Sequence, residues 1–515
     1  MDFLHFFSII PALLLLVLII ASKSLRSNIN GRKKGGKLPP GPWKLPIIGS
    51  IHHLVGFHSQ LAHHRMRELS KKYDELMHLQ VGEISTIVVS SAEMAKEVFQ
   101  SNDINFGGRL DRPSLHILFY DYSGLAFSPV GNFWKLLRKI SSTEMLNAKH
   151  VRSRSFQSLR EKEVSNLIKS LSTQVGCCVN LSDMVLHTIC DNVSKSIFGE
   201  KYHNNGQEAI LSLVQMFTKA TEETIVSDIF PSQKWLQVIT GERLKLKKLH
   251  HKIDMLLEKI INDFGASNQQ EEEGPQCLFS ALLNLKHHGD LTINNLKAII
   301  LEMILAGTEP SLTVVEWAMV EMLRKPRVMK RAQAEVRQVV FRNKAYNNNI
   351  DETSLEELEY LKAIIKETLR LHPPGPFLIP RDCTETCEIN GFTIPIGTQV
   401  MVNVWAIGRD PNYWGTSAEE FLPERFLKSS IDYRGLNFEY IPFGAGKRIC
   451  PGMLFGMASV EIILASLLCF FDWELPYGIT PKTLDMAETL GAILKRKSPM
   501  ILVPTFYNIN PAPHK

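Results

Sequence analysis

The chain has 515 residues, of which 44% are hydrophobic and 22% are charged, a balance typical of a folded globular protein and unlike a disordered one. Its net charge of +5 is small for this length. Because no basic stripe with interleaved aromatic residues occurs, the sequence does not indicate a nucleic-acid partner. Length alone is compatible with roughly two to four domains.

The N-terminus predicts a membrane anchor. Residues 3–21 contain no acidic residue, Lys or Arg, and a stretch of this length is about long enough to cross a bilayer. Six Lys and Arg residues follow between positions 23 and 37, which predicts that this flank stays in the cytosol. A cleaved signal peptide is the alternative, but the segment before the apolar stretch lacks positive charge and no small-x-small cleavage site precedes the basic run. We predict an anchor at 1–22, a basic and proline-rich linker at 23–44, and one body at 45–515.

Helical periodicity, with apolar residues three and four positions apart, dominates the body. It covers the ranges 59–73, most of 92–340, 355–372 and 453–470. Strand patterns are fewer: a hairpin at 77–91 around a Gly-Glu turn, short strands within 373–400, and a strand region after 470. The polar run 266–276 is predicted to be a surface loop. The fold class is therefore mainly α with a minor β region.

Eight cysteines are scattered along the chain. None belongs to a CxxC…CxxC zinc pattern, and a cytosolic location disfavours disulfides. Cys383 and Cys387 are a weak metal signal that we interpret as free thiols, and Cys469 lies in an apolar helical pattern typical of a buried structural cysteine.

Cys450 has a different setting, in the segment FEYIPFGAGKRICPGMLFG (438–456). Cations precede it and a predicted helix follows it, and both features lower the pKa of a thiol toward the ligating thiolate. Glycines at 444, 446 and 452 allow the backbone to lie against a flat group and to direct N–H groups toward the sulfur. A buried structural cysteine in a glycine turn is the alternative.

The pattern Phe443-x-x-Gly446-x-Arg448-x-Cys450-x-Gly452 resembles the haem-binding signature of cytochrome P450 monooxygenases. Three further segments resemble motifs of the same family in the same order: Trp134-x-x-x-Arg138, Glu367-Thr-Leu-Arg370 and Pro423-Glu-Arg-Phe426. The resemblance covers essentially the whole chain and is strongest to the plant microsomal branch. It implies the cytochrome P450 haem-thiolate fold with an N-terminal membrane anchor.

The resemblance also implies roles for individual residues. Cys450 would be the axial ligand of the iron of haem b, within a loop that includes Phe443 and Gly444. The haem propionates would be held by charge-assisted hydrogen bonds from Trp134, Arg138, Arg381 and Arg448. The ionic cluster Glu367/Arg370/Arg425 would be structural.

Electrons would come from a separate partner, because no GxGxxG motif follows a strand and no nicotinamide or flavin domain is indicated. The resemblance implies NADPH as the source and NADPH–cytochrome P450 reductase as the partner. A basic cluster could dock this acidic flavoprotein, although a solvated face explains it equally well; its members are Lys135, Arg138, Lys139, Lys149, Arg152 and Arg154.

The stretch AGTEPS (306–311) corresponds to the oxygen-binding turn of the family's long central helix, but Pro310 stands where a threonine is usual. Proline offers no N–H and no hydroxyl, so the carbonyl of Ala306 loses its helical donor. Glu309 with water, a hydroxyl of Thr308 or Ser311, or a group on the substrate could replace the missing proton donor. Alternatively, Pro310 is a tolerated substitution with slower or less coupled turnover.

Five apolar residues fall in segments that line the substrate pocket in the family: Phe119, Ala306, Phe377, Ile379 and Leu494. Taken singly, each is more often plain core. Together they predict a pocket for a lipophilic plant metabolite, a terpenoid or an alkaloid, oxidised at the cytosolic face of the endoplasmic reticulum. A dioxygen-independent isomerase or dehydratase and a non-catalytic haem-binding scaffold are the alternative functions.

Overall fold

The computed structural model describes residues 36–54, 61–109, 111–199, 207–221, 225–268, 277–342, 350–491 and 493–507. The predicted anchor at 1–22 and most of the predicted linker at 23–44 lie outside the described residues. The boundaries of both segments therefore stay predictions.

Helices account for most of the described chain. In chain order the α-helices are α1 (Ile51–Leu54), α2 (Ala62–Tyr73), α3 (Ala92–Lys96), α4 (Pro113–Leu118), α5 (Asn132–Ser141), α6 (Ala148–Val151), α7 (Arg154–Ser172), α8 (Leu181–Phe198), α9 (Gln207–Thr221), α10 (Val226–Ile229), α11 (Lys234–Ile239), α12 (Glu242–Asn268), α13 (Leu278–His287), α14 (Ile293–Arg324), α15 (Pro326–Arg342), α16 (Glu359–Leu371), α17 (Val404–Ile407), α18 (Pro411–Trp414) and α19 (Met453–Phe470). Short 3₁₀ turns occur at Glu352–Glu357, Pro423–Phe426 and Gly446–Arg448.

The strands are short and form small sheets. They are β1 (Leu76–Val81), β2 (Ile84–Val89), β3 (Val179–Asn180), β4 (Arg381–Asp382), β5 (Cys387–Ile389), β6 (Phe392–Ile394), β7 (Gln399–Val402), β8 (Phe471–Glu474), β9 (Glu488–Leu490), β10 (Leu494–Arg496) and β11 (Ile501–Phe506). The largest sheet has the order β1–β2–β7–β4, and the others are β3–β11–β8, β9–β10 and β5–β6.

The chain divides into two compact units, and the first comprises 1–113, 225–242 and 377–407. Its centre is the four-stranded sheet, in which the β1–β2 hairpin pairs Leu76 with Val89 and β2 runs parallel to β7. Four consecutive residues of β1 and four of β2 are buried, which indicates that this part of the sheet is covered on both faces, and the two residues of each strand next to the hairpin turn are partly exposed. Asn403 ties this sheet to α2 by donating from its amide to the carbonyl of His63 at 3.0 Å.

The second unit comprises 114–224, 243–376 and 408–515, and α14 runs through its core. This helix begins at a capping box in which Thr292 and Asn295 satisfy each other's backbone N–H groups. Gly307 allows α8 to pack closely, because a Cβ at this position would lie 3.0 Å from the Val193 side chain. The helix α19 packs on α14 and is buried over most of its length.

Within the described residues, α14 and α19 are long and apolar enough to cross a membrane, and 67% of the most apolar window of each is buried inside the protein. Both are therefore central packing elements of the second unit. Their continuous hydrophobicity reflects burial on all sides.

The structure confirms the mainly α class with a minor β region. The hairpin and the helix at 453–470 lie where the sequence predicts them. The loop predicted at 266–276 is wrong at its start, since α12 continues through Ala266 to Asn268; extending an existing helix by one residue costs far less than starting one. The remainder of that loop lies outside the described residues.

Candidate active site

The loop that carries Cys450 is shaped by its own backbone. The N–H of Cys450 donates to the carbonyl of Phe443 at 3.0 Å, and the N–H of Gly444 donates to Ile441 at 2.9 Å. Gly444 and Gly446 have φ of 73° and 69°, in the left-handed region that glycine adopts without steric penalty. These two glycines let the chain fold back and bring Cys450 to the start of α19.

The Cys450 sulfur lies in a position suited to a thiolate. Its side chain is partly accessible, and the sulfur accepts the backbone N–H groups of Gly452 and Met453. Burial raises the pKa of the Cys450 thiol, while the Gly452 N–H, the charge of Arg138 and the Met453 N–H each lower it. These groups reduce the free-energy cost of burying the Cys450 thiolate but do not remove it, and a metal ion bound to the sulfur would stabilise the thiolate further.

Two guanidinium groups and an indole surround this loop. Arg138 on α5 donates from Nη1 to the carbonyl of Ile449 at 2.8 Å, and Arg448 donates from Nη2 to the carbonyl of Ser128 at 2.6 Å. The Arg448 guanidinium lies 4.7 Å from the centre of the Trp134 ring, and that of Arg138 lies 6.0 Å from it. Burial lowers the pKa of Arg138, and the charge of Cys450 raises it. Three of the four predicted propionate partners therefore converge near the predicted ligand.

The turn 306–311 interrupts the burial of α14. The helix is continuous through Pro310, and the residues at 296–305 and 313–323 are buried. Ala306 is nevertheless exposed, and Gly307, Glu309 and Pro310 are partly exposed. Since Pro310 has no N–H, the Ala306 carbonyl lacks its usual helical donor.

The two hydroxyls beside Pro310 are both engaged by the helix itself. Thr308 is fully buried and donates to the carbonyl of Ile304 at 2.7 Å, and it also contacts the Cys190 thiol. Ser311 donates to the carbonyl of Gly307 at 2.9 Å on the side that meets α19, where a Cβ at Gly456 would lie 3.6 Å from its oxygen. Neither hydroxyl lies on the exposed side of the turn.

Glu309 has a partner that sequence reasoning missed. The hydroxyl of Thr218 on α9 donates to Oε1 of Glu309. Nothing in the sequence indicates this contact, because the two residues are 91 positions apart and belong to different helical patterns. Glu309 is thus held at the edge of the exposed turn by a second helix.

A second missed residue is Glu302, one helical turn before Ala306. It is 5% exposed, and Oε2 accepts the backbone N–H of Ala126 at 2.8 Å. A Cβ at Gly124 would lie 2.3 Å from this carboxylate, so only glycine permits the contact. In the sequence, the feature that could have pointed to Glu302 is its position as a single carboxylate inside an apolar helical run. Glu302 fixes the segment that follows Phe119 onto α14.

The predicted pocket residues are divided between the two units. In the second unit, Phe119 packs on Phe127 and Phe217 with ring centres 4.5 Å and 5.4 Å apart, and buried Leu494 donates its N–H to the carbonyl of Pro374 at 2.8 Å. Phe377 and Ile379 lie in the first unit, where they are 9% and 43% exposed.

Arg381 also lies in the first unit. It is 5% exposed, and its Nη1 atom pairs with Oδ1 of Asp103 at 2.7 Å. Its guanidinium lies over the Phe99 ring at 4.3 Å. The predicted propionate partner therefore already has one anionic neighbour.

The predicted structural cluster is assembled at the end of α16. Arg370 donates to both oxygens of Glu367 at 2.7 Å and 2.8 Å, and Arg425 donates to Oε1 at 3.0 Å. The remaining Arg370 donors reach the carbonyls of Gly408, Ala418 and Glu420. Glu367 is 0% exposed and Arg370 is 1% exposed.

The arrangement around Cys450 fits haem. A sulfur with two N–H donors and a neighbouring cation is the donor set for a thiolate-ligated iron, and Arg138, Arg448 and Trp134 can donate to carboxylates. A Cβ built on Gly452 would meet no atom within 4 Å, so open space adjoins the loop two residues after Cys450.

Comparison with known proteins agrees with this geometry. The family model for cytochrome P450 matches residues 39–503. Desmethyl-deoxy-podophyllotoxin synthase of Sinopodophyllum hexandrum is 47% identical and covers 98% of both chains. Premnaspirodiene oxygenase of Hyoscyamus muticus is 45% identical, with 98% of this chain and 99% of its own covered. Tabersonine 16-hydroxylase 1 of Catharanthus roseus is 44% identical, and the match covers 99% of this chain and 100% of its own.

A solved structure supports the fold. A zebra fish cytochrome P450 with progesterone superimposes with a TM-score of 0.73 at 23% identity, over 87% of this chain and 100% of that one. The resemblance inferred from the Cys450 signature is confirmed, as are the fold, the oxidoreductase class and the haem cofactor. This chain therefore belongs to the cytochrome P450 family and is an oxidoreductase that uses haem iron.

Proposed function

We propose that the chain is a membrane-bound monooxygenase that oxidises a plant terpenoid or alkaloid. Dioxygen is the oxidant, and electrons pass from NADPH through NADPH–cytochrome P450 reductase. The observation that carries the proposal is the Cys450 sulfur, which accepts two backbone N–H groups beside Arg138. Support for the substrate class comes from relatives that act on terpenoids and alkaloids.

The proposed organisation is an anchor at 1–22, a linker at 23–44 and a haem-thiolate catalytic domain at 45–515. The anchor would hold the protein in the endoplasmic reticulum membrane as a single pass, with the catalytic domain in the cytosol. Support comes from the apolar run at 3–21 and the basic flank that follows it.

Cys450 is the residue that would bind the haem iron through its sulfur. When bound, haem iron supplies activation of dioxygen, and a thiolate ligand favours O–O cleavage by pushing electron density toward the iron. The N–H groups of Gly452 and Met453 hold the sulfur as an acceptor. Arg138, Arg448 and Trp134 would donate to the propionates, and Arg381 would do so while sharing its charge with Asp103.

Substrate binding is assigned to the apolar residues of the pocket. Phe119 is held in an aromatic cluster, and Glu302 fixes the backbone that follows it. The small side chain of Ala306 leaves room beside the exposed turn of α14. Phe377, Ile379 and Leu494 are the further proposed lining residues. Such a lining excludes water and suits a lipophilic ligand with few polar groups.

Proton delivery is the step at which this chain departs from the family pattern. The hydroxyls of Thr308 and Ser311 donate back to their own helix, which leaves two of the possible routes. In the first, a water molecule donates a hydrogen bond to the Ala306 carbonyl, and protons pass from Glu309 through this water. In the second, a hydroxyl or amine of the substrate donates. The second route favours desaturation, ring closure or ring rearrangement over simple hydroxylation.

Reconstitution with a plant reductase tests the proposal. The full chain is incubated with a panel of terpenoids and alkaloids, with or without NADPH and reductase, under labelled dioxygen. We expect product only in the complete mixture, and label in the product distinguishes hydroxylation from desaturation or ring closure. Product formed without reductase, NADPH or dioxygen would instead establish an isomerase or dehydratase, which the loss of the usual threonine at Pro310 favours as the second candidate. Bound haem without any product across the panel would support a non-catalytic scaffold.

A further inference from the structure

A cavity of about 470 Å³ opens on the surface of the second unit, formed by residues other than those proposed to bind haem. One wall is a single face of α12, since its lining residues there are spaced four and three positions apart. The other wall is the end of α4 with the turn after it, and the first turn of α14 completes the lining. The main lining residues are Arg243, Lys247, His250, His116, Tyr120, Asp121 and Asn294.

The α12 wall supplies two positive charges. Arg243 and Lys247 are exposed, and neither forms an ion pair with any residue in the described part of the chain. One carboxylate, Asp121, also lines the cavity, and it lies 2.8 Å from His116, a contact that is an ion pair only when the imidazole is protonated. The permanent positive charges of the lining therefore outnumber its carboxylate by two to one.

His250 continues the same wall of the cavity, three positions after Lys247, and is partly buried. The imidazole ring also packs against the Tyr120 ring, with centres 4.6 Å apart.

The opposite wall is held in an unusual conformation. Tyr120, Asp121 and Tyr122 have φ of 50°, 55° and 61°, and three consecutive non-glycine residues in the left-handed region are rare. The hydroxyl of Tyr120 donates to Oδ1 of Asp254 at 2.9 Å, and the His116–Asp121 pair closes the turn. Strained backbone of this kind clusters at ligand sites, and here the wall is fixed before any ligand arrives.

We propose that this cavity binds the phosphate or carboxylate group of a small anionic molecule, with Arg243 and Lys247 as its charged contacts. The volume falls within the range of small-molecule sites, about 300–1,000 Å³. The guanidinium of Arg243 can bind an oxyanion with two parallel hydrogen bonds, and the ammonium of Lys247 acts as a point charge. The same chemistry would suit a free metabolite anion or the headgroup of an acidic lipid.

Thermal unfolding of the full-length holoprotein in non-ionic detergent tests the site. Inorganic phosphate is titrated against sodium chloride at matched ionic strength. We expect a saturable rise in the unfolding temperature for the wild type. The double variant Arg243→Gln/Lys247→Gln should raise the half-saturating phosphate concentration by at least about tenfold, because two charge-assisted contacts are lost. The matched control Lys248→Gln/Lys252→Gln removes two exposed charges from the same helix and should respond as the wild type does.

A second arm separates the two sources of the anion. Binding of all three proteins is measured on neutral vesicles with and without phosphatidic acid. If the double variant loses only phosphate binding, the site binds a free anion. If it loses only binding to the acidic vesicles, the site binds a lipid headgroup. If the double variant and the control behave alike in both arms, the charges act only through ionic screening and the proposal is wrong.

Discussion

Two charged clusters of the same unit differ in how completely the protein satisfies them. Around Glu367, both carboxylate oxygens and the donors of Arg370 meet protein partners, and Glu367 and Arg370 are both buried. Around Cys450, burial shifts the pKa of the Cys450 thiol upward and that of Arg138 downward. A satisfied cluster stabilises the fold, whereas a cluster whose charges stay costly is typical of a functional site.

The turn 306–311 extends this comparison to a third region. Its hydroxyls are satisfied within the helix, as the groups of the Glu367 cluster are satisfied by the protein, but its Ala306 carbonyl lacks the helical donor that Pro310 cannot supply. Polar groups whose hydrogen bonds are all made within the protein therefore have structural roles, whereas polar groups with an unmet hydrogen bond are candidates for a role in catalysis. It also ranks the effects expected from substitution.

The largest effect is expected from Glu367→Ala. This change leaves Arg370 buried without its carboxylate, and breaking a buried ion pair costs about 3–5 kcal/mol. We expect little folded, haem-containing protein, measured by the yield of holoprotein and its unfolding temperature. Glu68→Ala is the control, since the Glu68–Lys71 pair is exposed and such pairs contribute about 0–1 kcal/mol. Similar losses in both variants would contradict the structural role.

A smaller and different effect is expected from Arg138→Gln. If Arg138 holds a propionate, its loss removes a charge-assisted hydrogen bond of about 1.5–3 kcal/mol and weakens haem retention roughly ten- to a hundredfold. The unfolding temperature of the haem-free protein should change little. Haem transfer to an acceptor protein measures retention, with exposed Lys139→Gln on the same helix as the control. Equal haem loss in both variants would remove Arg138 from the site.

Substitution of Pro310 should change the outcome of turnover with little change in substrate affinity. Pro310→Ala returns an N–H to the Ala306 carbonyl without adding a hydroxyl. We expect it to lower the fraction of NADPH electrons recovered in product by about tenfold, less than the roughly 10²–10⁴-fold contribution of a positioned proton donor. Pro310→Thr should raise that fraction or alter the product ratio. Identical products and identical hydrogen peroxide release from all three proteins would show that Pro310 is neutral.

The smallest effects are expected from the neighbouring hydroxyls. Thr308→Val and Ser311→Ala each remove a hydroxyl that donates to a helix carbonyl, which contributes about 1 kcal/mol or less to stability. The fraction of NADPH recovered in product should stay within about twofold of the wild type. A large loss of coupling in either variant would place that hydroxyl in the proton route.

Local patterns predicted the parts of the fold and site that depend on local geometry. The hairpin followed from β-branched residues on both sides of a Gly-Glu turn, and the Cys450 loop from glycines, cations and a helix start within a few residues. The propionate partners and the Glu367 cluster came from resemblance to a family, since spacing alone would make Glu367 and Arg370 an ordinary pair on one helix.

Contacts between distant segments could not be predicted in this way. Thr218 reaches Glu309, Glu302 reaches the backbone of Ala126, and Asp103 pairs with Arg381. Each contact depends on how helices and loops pack, and helical or strand periodicity reports only which face of an element is apolar. The hydrogen bonds from the Thr308 and Ser311 hydroxyls to carbonyls of their own helix likewise could be identified only from the atomic positions.

The most direct test of the account is the carbon monoxide difference spectrum of the reduced protein. Wild type should show the absorption of a thiolate-ligated haem, Cys450→Ser should lose it together with turnover, and Cys469→Ala, which removes a buried thiol from α19, should keep both. A wild-type protein without haem, or a Cys450→Ser variant that retains the thiolate spectrum, would contradict the assignment of the iron ligand.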